Sequence, residues 1–387
     1  MKRRKFINFS AMGMAGTAFG TSILSGFFPS CSNPNRQIHV ALAGCTDKAI
    51  QLLTDLLAGN GSIILKQVYD QNKKKQENAF QSFTQSLGYS PEQASDFQDI
   101  MDDKESEAVF IFIPAEQIPE SAIQVIKAGK DLYIDGEPTF SIKEGKQLAD
   151  EAANKNRIVQ CGFTFRSNPS VLKAKTYIDE GKLGQVVHIK IFCLQKSTSK
   201  PANTSRSLDL ARFLTGNPGH PVSVYCYQTR RMDNDTPRQV VTWDFKNFTM
   251  KCESGSAFQY MKTLPVLVKE ENKVLQWLLQ AERIEIYGSE GLLHLDPISG
   301  SWQVQGNAGE VLASRIGTPQ SIFHIQNFIS CVRSREIPNA DISQGHLSTS
   351  LLEMSILAFQ TGNKQLIFDS KKELFTNNKQ ANDLMKS

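Results

Sequence analysis

Apolar residues fall in short runs separated by polar, helix-length stretches over the first half of the chain. Residues 38–43 (IHVALA) form an apolar run that stops at Gly44. Its length and glycine flank predict a buried parallel strand. A helix is expected over 47–57 with Asp47 as its N-cap, then a strand over 62–69 ending at Asp70, then a polar helix over 73–87. Residues 108–113 (AVFIFI) are the strongest strand signal and Pro114 closes it. A helix over 119–128 ending at Gly129, a strand over 132–134, a helix over 143–156 and a strand over 158–162 complete the alternation. This βαβ rhythm predicts a doubly wound parallel sheet.

The pattern changes after Phe165. A helix over 171–180 is followed by strands at 186–193, 222–229, 238–245, 247–252, 255–261, 283–287 and 292–295. Strands with few intervening helices predict an α+β domain on a large, mostly antiparallel open sheet. Two helices, over 320–334 and 344–361, are expected to return to the first domain. The organisation read here is a targeting segment over 1–31, a linker over 32–36, a Rossmann domain over 37–165, the α+β domain over 166–319, and C-terminal helices with a tail over 320–387.

Composition narrows the function classes. Hydrophobic content of 40% and charged content of 21% are ordinary for a globular protein. The net charge of +4 is supplied by Lys2, Arg3, Arg4 and Lys5, so the rest is formally neutral and gives no reason to expect nucleic acid as a partner. Those four residues precede an uncharged stretch of apolar, small and weakly polar residues from Phe6 to Phe28, the layout of a secretory signal. Arg3-Arg4 gives it the look of a twin-arginine signal, so a periplasmic or membrane-tethered location is expected. A transmembrane anchor is the alternative, although Gly13, Gly16, Gly20 and Gly26 weaken a spanning helix. Cys31 sits where a lipoprotein signal carries its lipidated cysteine; the alternative is a free cysteine in a discarded peptide. The other six cysteines lack metal-ligand spacing and mostly lie in apolar runs, so buried thiols are expected.

The first turn reads Gly44-Cys45-Thr46-Asp47-Lys48-Ala49. It keeps the glycine of the tight turn, and alanine where close helix–strand packing is required. Thr46 stands where a second glycine lets backbone approach a pyrophosphate. A helix N-terminus still favours an anion there, while Asp47 competes for the same amides. Asp70, 26 residues after Gly44, ends the second strand where an acid would accept from a ribose hydroxyl. Gly44, Cys45, Thr46, Asp70 and Pro114 are therefore the cofactor candidates, together with Glu137 and Pro138. NAD or NADP is the cofactor considered, and Asp70 favours NAD.

Longer passages resemble the Gfo/Idh/MocA superfamily of glucose-fructose oxidoreductase and inositol dehydrogenase. They are Ala108 to Pro114 with Ala128-Gly129-Lys130-Asp131-Leu132-Tyr133, Gly162 to Pro169, Gly181 to Val186, Glu285 to Gly291, and His324 to Arg335 with Pro338-Asn339-Ala340 and Gly345-His346. The resemblance implies hydride transfer on sugars or polyols and a second-domain sheet that often forms homo-oligomer contacts. It also implies a Glu-Lys-Pro lysine, an aspartate and a histidine in the active site. Here the lysine falls on Gly136 or Glu137, the histidine on Arg206, and a further aspartate on Ala202; Asp209 is kept. The catalytic candidates are therefore Glu137, Asp209 and Arg206; Arg166 and Asn168 are candidates to line a substrate cleft, with a structural crossover role as the alternative. Lys196 and Lys200 are expected as solvated loop residues, and His324 and His346 in packing roles. Three readings stay open: an exported NAD(P)-dependent sugar or polyol oxidoreductase with degenerate catalytic residues, a catalytically inactive protein that binds a carbohydrate or a partner, and an NAD-assisted glycosidase.

Overall fold

The structure is a computed structural model that describes residues 36–58, 61–136, 141–195, 204–228, 238–256, 261, 277, 279–362 and 364–385. The first sheet contains β1 (Ile38–Ala43), β2 (Ile63–Tyr69), β3 (Glu92–Gln93), β4 (Ala108–Ile111), β5 (Asp131–Ile134) and β6 (Val159–Cys161). All pairs are parallel, in the order β3-β2-β1-β4-β5-β6. Every residue of β4 and β5 is buried, which is why those segments read as unbroken apolar runs rather than alternations.

Helices α1 (Asp47–Ala58), α2 (Lys73–Leu87), α3 (Phe97–Asp102), α4 (Ile118–Lys127) and α5 (Ile142–Lys155) cover the sheet. Their boundaries follow from local chemistry. Asn72 caps α2 by accepting from the amides of Lys74 and Lys75, and Gly88 ends it with φ +74°. Ser141 and Glu144 form a reciprocal capping box on α5. Asp47 is not the cap of α1. It is exposed on the first turn, and the Thr46 hydroxyl accepts from the Ala49 amide at 3.1 Å instead.

The chain leaves the first sheet through 164–167 and α6 (Pro169–Asp179), which Asn168 caps. The second sheet runs β14 (Val311–Arg315), β13 (Trp302–Gln305), β12 (Gly291–Leu295), β11 (Glu282–Gly288), β7 (Val186–Gln195), β10 (Thr249–Ser256), β9 (Gln239–Asp244), β8 (Ser223–Gln228), β15 (Leu366–Asp369) and β16 (Leu374–Phe375). Its pairs are antiparallel except β7 with β10. The expected break between 252 and 255 is absent. Residues 249–256 pair with 188–195 in one register, and Gly255 (φ +131°) carries the backbone through a conformation that a side chain would resist. Residues 257–260 lie outside the described set.

One face of this sheet packs on α7 (Thr204–Leu214), buried at every position except Arg206, and on α9 (Ile342–Gln360). The preceding helix, α8 (Ile322–Ser334), returns to the first sheet and places Ile325, Phe328, Ile329 and Val332 in its core. Helix α9 touches α5 as well as α7 and β8, so it joins the two layers. Helix α10 (Lys379–Leu384) completes the C-terminal end. None of the described helices is long and apolar enough to cross a membrane.

Candidate functional site

Strand order reverses beside β1, whose neighbours are β2 and β4, and ligands of such sheets bind beyond the carboxyl ends of the strands there. Gly44 ends β1 with φ +92°, and its amide donates to the Tyr69 carbonyl at 2.8 Å. A Cβ at this position would meet the Phe112 carbonyl oxygen at 2.3 Å, so glycine is required twice over. The Cys45 amide donates to Asp70 Oδ2 at 2.7 Å, and the Asn72 amide donates to Oδ1 at 2.8 Å. The Cys45 side chain turns inward, and burial with the Asp70 charge pushes its thiol up to about 12. Cys45 therefore contributes backbone to the turn, not a reactive sulfur.

Lys48, exposed on the first turn of α1, reaches Asp135 at the end of β5. Its Nζ lies 2.8 and 2.9 Å from the two carboxylate oxygens. This pair brings a cation to the chain segment where the resemblance had left none. Gly136 follows with φ +79° and packs so closely that a Cβ on Gly162 would meet its oxygen at 2.2 Å. Pro114 ends the β4 segment and accepts from the Gln117 amide at 3.0 Å. Glu137 and Pro138 lie outside the described residues, as do Lys196, Lys200 and Ala202.

The candidates for lining a cleft lie at the crossover. Arg166 and Asp209 are buried against each other, with side-chain exposures of 0% and 2%. Arg166 Nε lies 3.0 and 2.8 Å from the two Asp209 oxygens, and Nη2 lies 2.7 Å from Oδ1. Nη1 donates to Asn217 Oδ1 at 2.9 Å, and the guanidinium lies 5.0 Å from the Phe213 ring centre. Ser348 of α9 donates a further bond to Asp209 Oδ1 at 2.7 Å. Asn168, 2% exposed, caps α6 and donates to the Thr318 carbonyl at 2.8 Å. The three side chains join the crossover to α6, α7 and α9 and leave no face toward solvent, as the structural crossover alternative for Arg166 and Asn168 expects. Arg206 is partly buried with its guanidinium 5.7 Å from the Phe165 ring centre.

Sequence reasoning passed over Lys48 and Ser348, whose partners lie far away along the chain. It assigned His324 to packing, and the structure adds a defined tautomer. Its Nε2 faces the Cys161 carbonyl at 2.8 Å and must carry the proton; Nδ1, 2.8 Å from Ser167 Oγ, therefore accepts. Burial holds this imidazole neutral by lowering its pKa to about 4.

Residues 38–163 match the family model of the oxidoreductase family with an NAD-binding Rossmann fold, and residues 308–387 match the companion model of its C-terminal alpha/beta domain. The chain belongs to the Gfo/Idh/MocA superfamily. Levoglucosan dehydrogenase of Pseudarthrobacter phenanthrenivorans is 31% identical over 123 residues, 32% of this chain and 31% of that protein, so the match spans under a third of the relative's length. The scyllo-inositol 2-dehydrogenase (NAD(+)) of Bacillus subtilis is 23% identical over 265 residues, 63% of this chain and 73% of the relative. Among solved structures, levoglucosan dehydrogenase in complex with NADH and levoglucosan superposes with a TM-score of 0.66 at 16% identity, covering 86% of this chain and 99% of that one. Aldose-aldose oxidoreductase from Caulobacter crescentus, complexed with glycerol, gives 0.66 at 15% identity, covering 86% and 100%. These two likenesses show the Gfo/Idh/MocA fold: a six-stranded Rossmann sheet followed by a large open sheet.

NAD is the cofactor of this family's first domain, and the residues of the turn fit it. The left-handed Gly44 keeps the backbone close to the strand ends. Asp70 is partly exposed, and each carboxylate oxygen retains a lone pair beyond the one bound to an amide. Thr46 narrows the turn, but its hydroxyl is drawn back toward Ala49 by the cap.

Proposed function

We propose that the chain is an exported, NAD-dependent oxidoreductase acting on a sugar or polyol, with a catalytic set that departs from the family's. The turn after β1 carries this reading, because it keeps the left-handed glycine and the strand-end carboxylate of a dinucleotide site, although Thr46 stands at its second glycine position. Gly44 and Cys45 would shape the turn, their amides already bound to Tyr69 and Asp70, and Thr46 would face the pyrophosphate through its hydroxyl proton, with Asp70 on a ribose hydroxyl and Pro114, Glu137 and Pro138 along the nicotinamide side. NAD supplies the hydride acceptor or donor when bound. Levoglucosan and inositol, named with the relatives, support a polyhydroxylated substrate.

The chain's own contribution is charge and proton handling. Lys48 donates a cationic hydrogen bond that stabilises a substrate oxygen as negative charge develops on it. Its Nζ stays held by Asp135 until a ligand competes for it. Glu137, two residues beyond Asp135, holds the substrate proton. Arg206 acts as a fixed positive charge, and Asp209 serves as a structural partner of Arg166.

A catalytically silent binding protein is the second reading, favoured by the full engagement of Asp209. An NAD-assisted glycosidase is the third. The deciding experiment denatures protein isolated from its native export route and assays the released nucleotide by mass spectrometry, followed by turnover assays on sugars, polyols and glycosides. Near-stoichiometric NAD(H) with oxidation of a sugar or polyol is expected. Absence of nucleotide, with no rise in Tm on adding NAD(H), would leave the binding reading. Cleaved glycoside without net oxidation would favour the glycosidase.

Export is proposed to follow the twin-arginine signal over 1–31, with Cys31 carrying a lipid tether. Residues 1–35 lie outside the described set. A Cys31→Ser chain is expected to move from the membrane fraction to the soluble one, and retention in the membrane would count against the tether. The face of the second sheet opposite α7 is proposed as a contact between copies of the chain, to be checked by light scattering.

A further inference from the structure

We propose that His220, His346 and Glu373 form a binding site for a divalent transition-metal ion of the zinc class. The three residues come from separate elements: the loop before β8, helix α9, and the turn between β15 and β16. One ligand atom from each lies within 4.8 Å of the others. His346 Nε2 is 3.0 Å from Glu373 Oε1, and the His220 and His346 ring centres are 5.4 Å apart, nearly perpendicular. Two imidazoles and a carboxylate are a donor set suited to zinc, and an open fourth position is ordinary for it.

Two atoms of the trio lack any partner. Buried His220 Nε2 and buried Glu373 Oε2 have no hydrogen-bond partner among the described residues, and unsatisfied buried polar atoms are uncommon. Tetrahedral zinc with bonds of about 2.0–2.1 Å sets ligand atoms ~3.4 Å apart, so closure of the trio requires movements on the order of 1 Å.

Backbone and packing hold the trio in place. Glu373 has φ +52°, a left-handed conformation uncommon outside glycine, which aims its side chain back at α9. His220 packs 5.1 Å from the Phe368 ring centre. The His346 ring rests on α5 so closely that a Cβ on Gly145 would meet Nδ1 at 2.6 Å.

The charges around the site sharpen the reading. Buried Arg212 on α7 and Lys146 on α5 both oppose positive charge at His220. Arg212 is itself engaged by the Pro218 and Gln344 carbonyls and by Ser348 Oγ. Glu373 offsets them from within the trio, and Glu353 on α9 also interacts electrostatically with His346. This places most of the electrostatic attraction for the ion on one carboxylate.

The test uses the full-length chain stripped with EDTA and titrated with Zn²⁺ and, separately, Co²⁺. One Zn²⁺ per chain is expected, with a Tm rise of about 5 °C at a hundredfold excess over Kd. Co²⁺ is expected to give the visible bands of a four-coordinate nitrogen and oxygen site. His220→Asn and Glu373→Gln should weaken Zn²⁺ binding by more than about tenfold, since even outer partners of metal ligands are worth 10–100-fold. Their melting in EDTA, compared with that of the unaltered chain, separates a lost ligand from a lost fold. No zinc uptake by the unaltered chain, or equal uptake by both variants, would overturn the proposal. So would a sulfur-to-cobalt charge-transfer band, a readout that stands even if the variants fail to fold.

Discussion

The Arg166–Asp209 pair distinguishes a structural carboxylate from a catalytic one, and Asp209→Asn measures which it is. The substitution keeps the shape but removes the charge that faces three close guanidinium contacts, and it replaces one carboxylate oxygen with a donor. Arg166 then remains with a buried cation and no counter-charge. Removing one partner of a buried pair costs about 3–5 kcal/mol, because the other is left desolvated and unpaired. At roughly 2 °C per kcal/mol for a chain of this size, Tm should fall by about 6–10 °C. The assay is thermal and urea unfolding of both forms at fixed protein concentration. The double variant Arg166→Met/Asp209→Asn should recover part of the loss, since no uncompensated charge remains. A Tm within about 1 °C of the unaltered chain, together with abolished turnover, would refute the structural assignment and return Asp209 to the active site.

Gly44→Ala forces a side chain into a left-handed turn and against the Phe112 carbonyl, so a loss of ~3 kcal/mol or more and undetectable NAD(H) binding are expected by denaturation and calorimetry. Lys48→Met should leave Tm within about 2 °C, because an exposed pair contributes about 0–1 kcal/mol, yet lower kcat/KM on the identified substrate by on the order of 10²-fold. Unchanged kcat/KM would remove Lys48 from the reaction. The neutral, buried His324 makes stability fall with acid: its folded pKa of about 4 lies below the unfolded 6.5, so the unfolded chain binds more protons within that window. Its contribution is fully present above pH 6.5 and is lost as pH falls toward 4, a change of ~3 kcal/mol. His220 acts in the same sense, so His324→Gln should shrink the Tm difference between pH 7.5 and 4.5 without abolishing it.

The central strands of the first sheet, β1, β4, β5 and β6, were readable because nearly all their residues are buried and hard stops such as Gly44, Pro114 and Gly129 bound them, whereas the exposed two-residue β3 gave no signal. Apolar runs with hard stops need no tertiary information. The second sheet was readable in kind but not in detail. Gly255 suggests a break to anyone reading along the chain, whereas its pairing with β7 carries the strand through. β13 alternates but spans only four residues, and β14 is exposed at most of its positions.

The cap of α1 went to Thr46 rather than Asp47, a choice made by where the turn ends and invisible to residue preferences. Site chemistry was the least legible part. Arg166 finds Asp209 43 residues away, Lys48 finds Asp135 87 residues away, and His346 finds Glu373 across a helix and a strand. Only the topology brings them together. A family pattern marked Arg166 and Asp209 as notable positions, and their mutual burial is invisible along the chain.

The six described cysteines are all buried as free thiols, and those at 45, 161, 226, 252 and 331 are driven further from the reactive thiolate by burial or by the neighbouring Cys193. Reactivity toward oxidants follows thiolate content and access, and here both are low. Under the proposed export, the order of folding and translocation therefore matters. A chain threaded unfolded into an oxidising compartment would present these sulfurs to one another and to every disulfide-forming catalyst before its sheets closed. Were the chain exported as proposed, folding before export would carry it across with its six described thiols already enclosed in three cores.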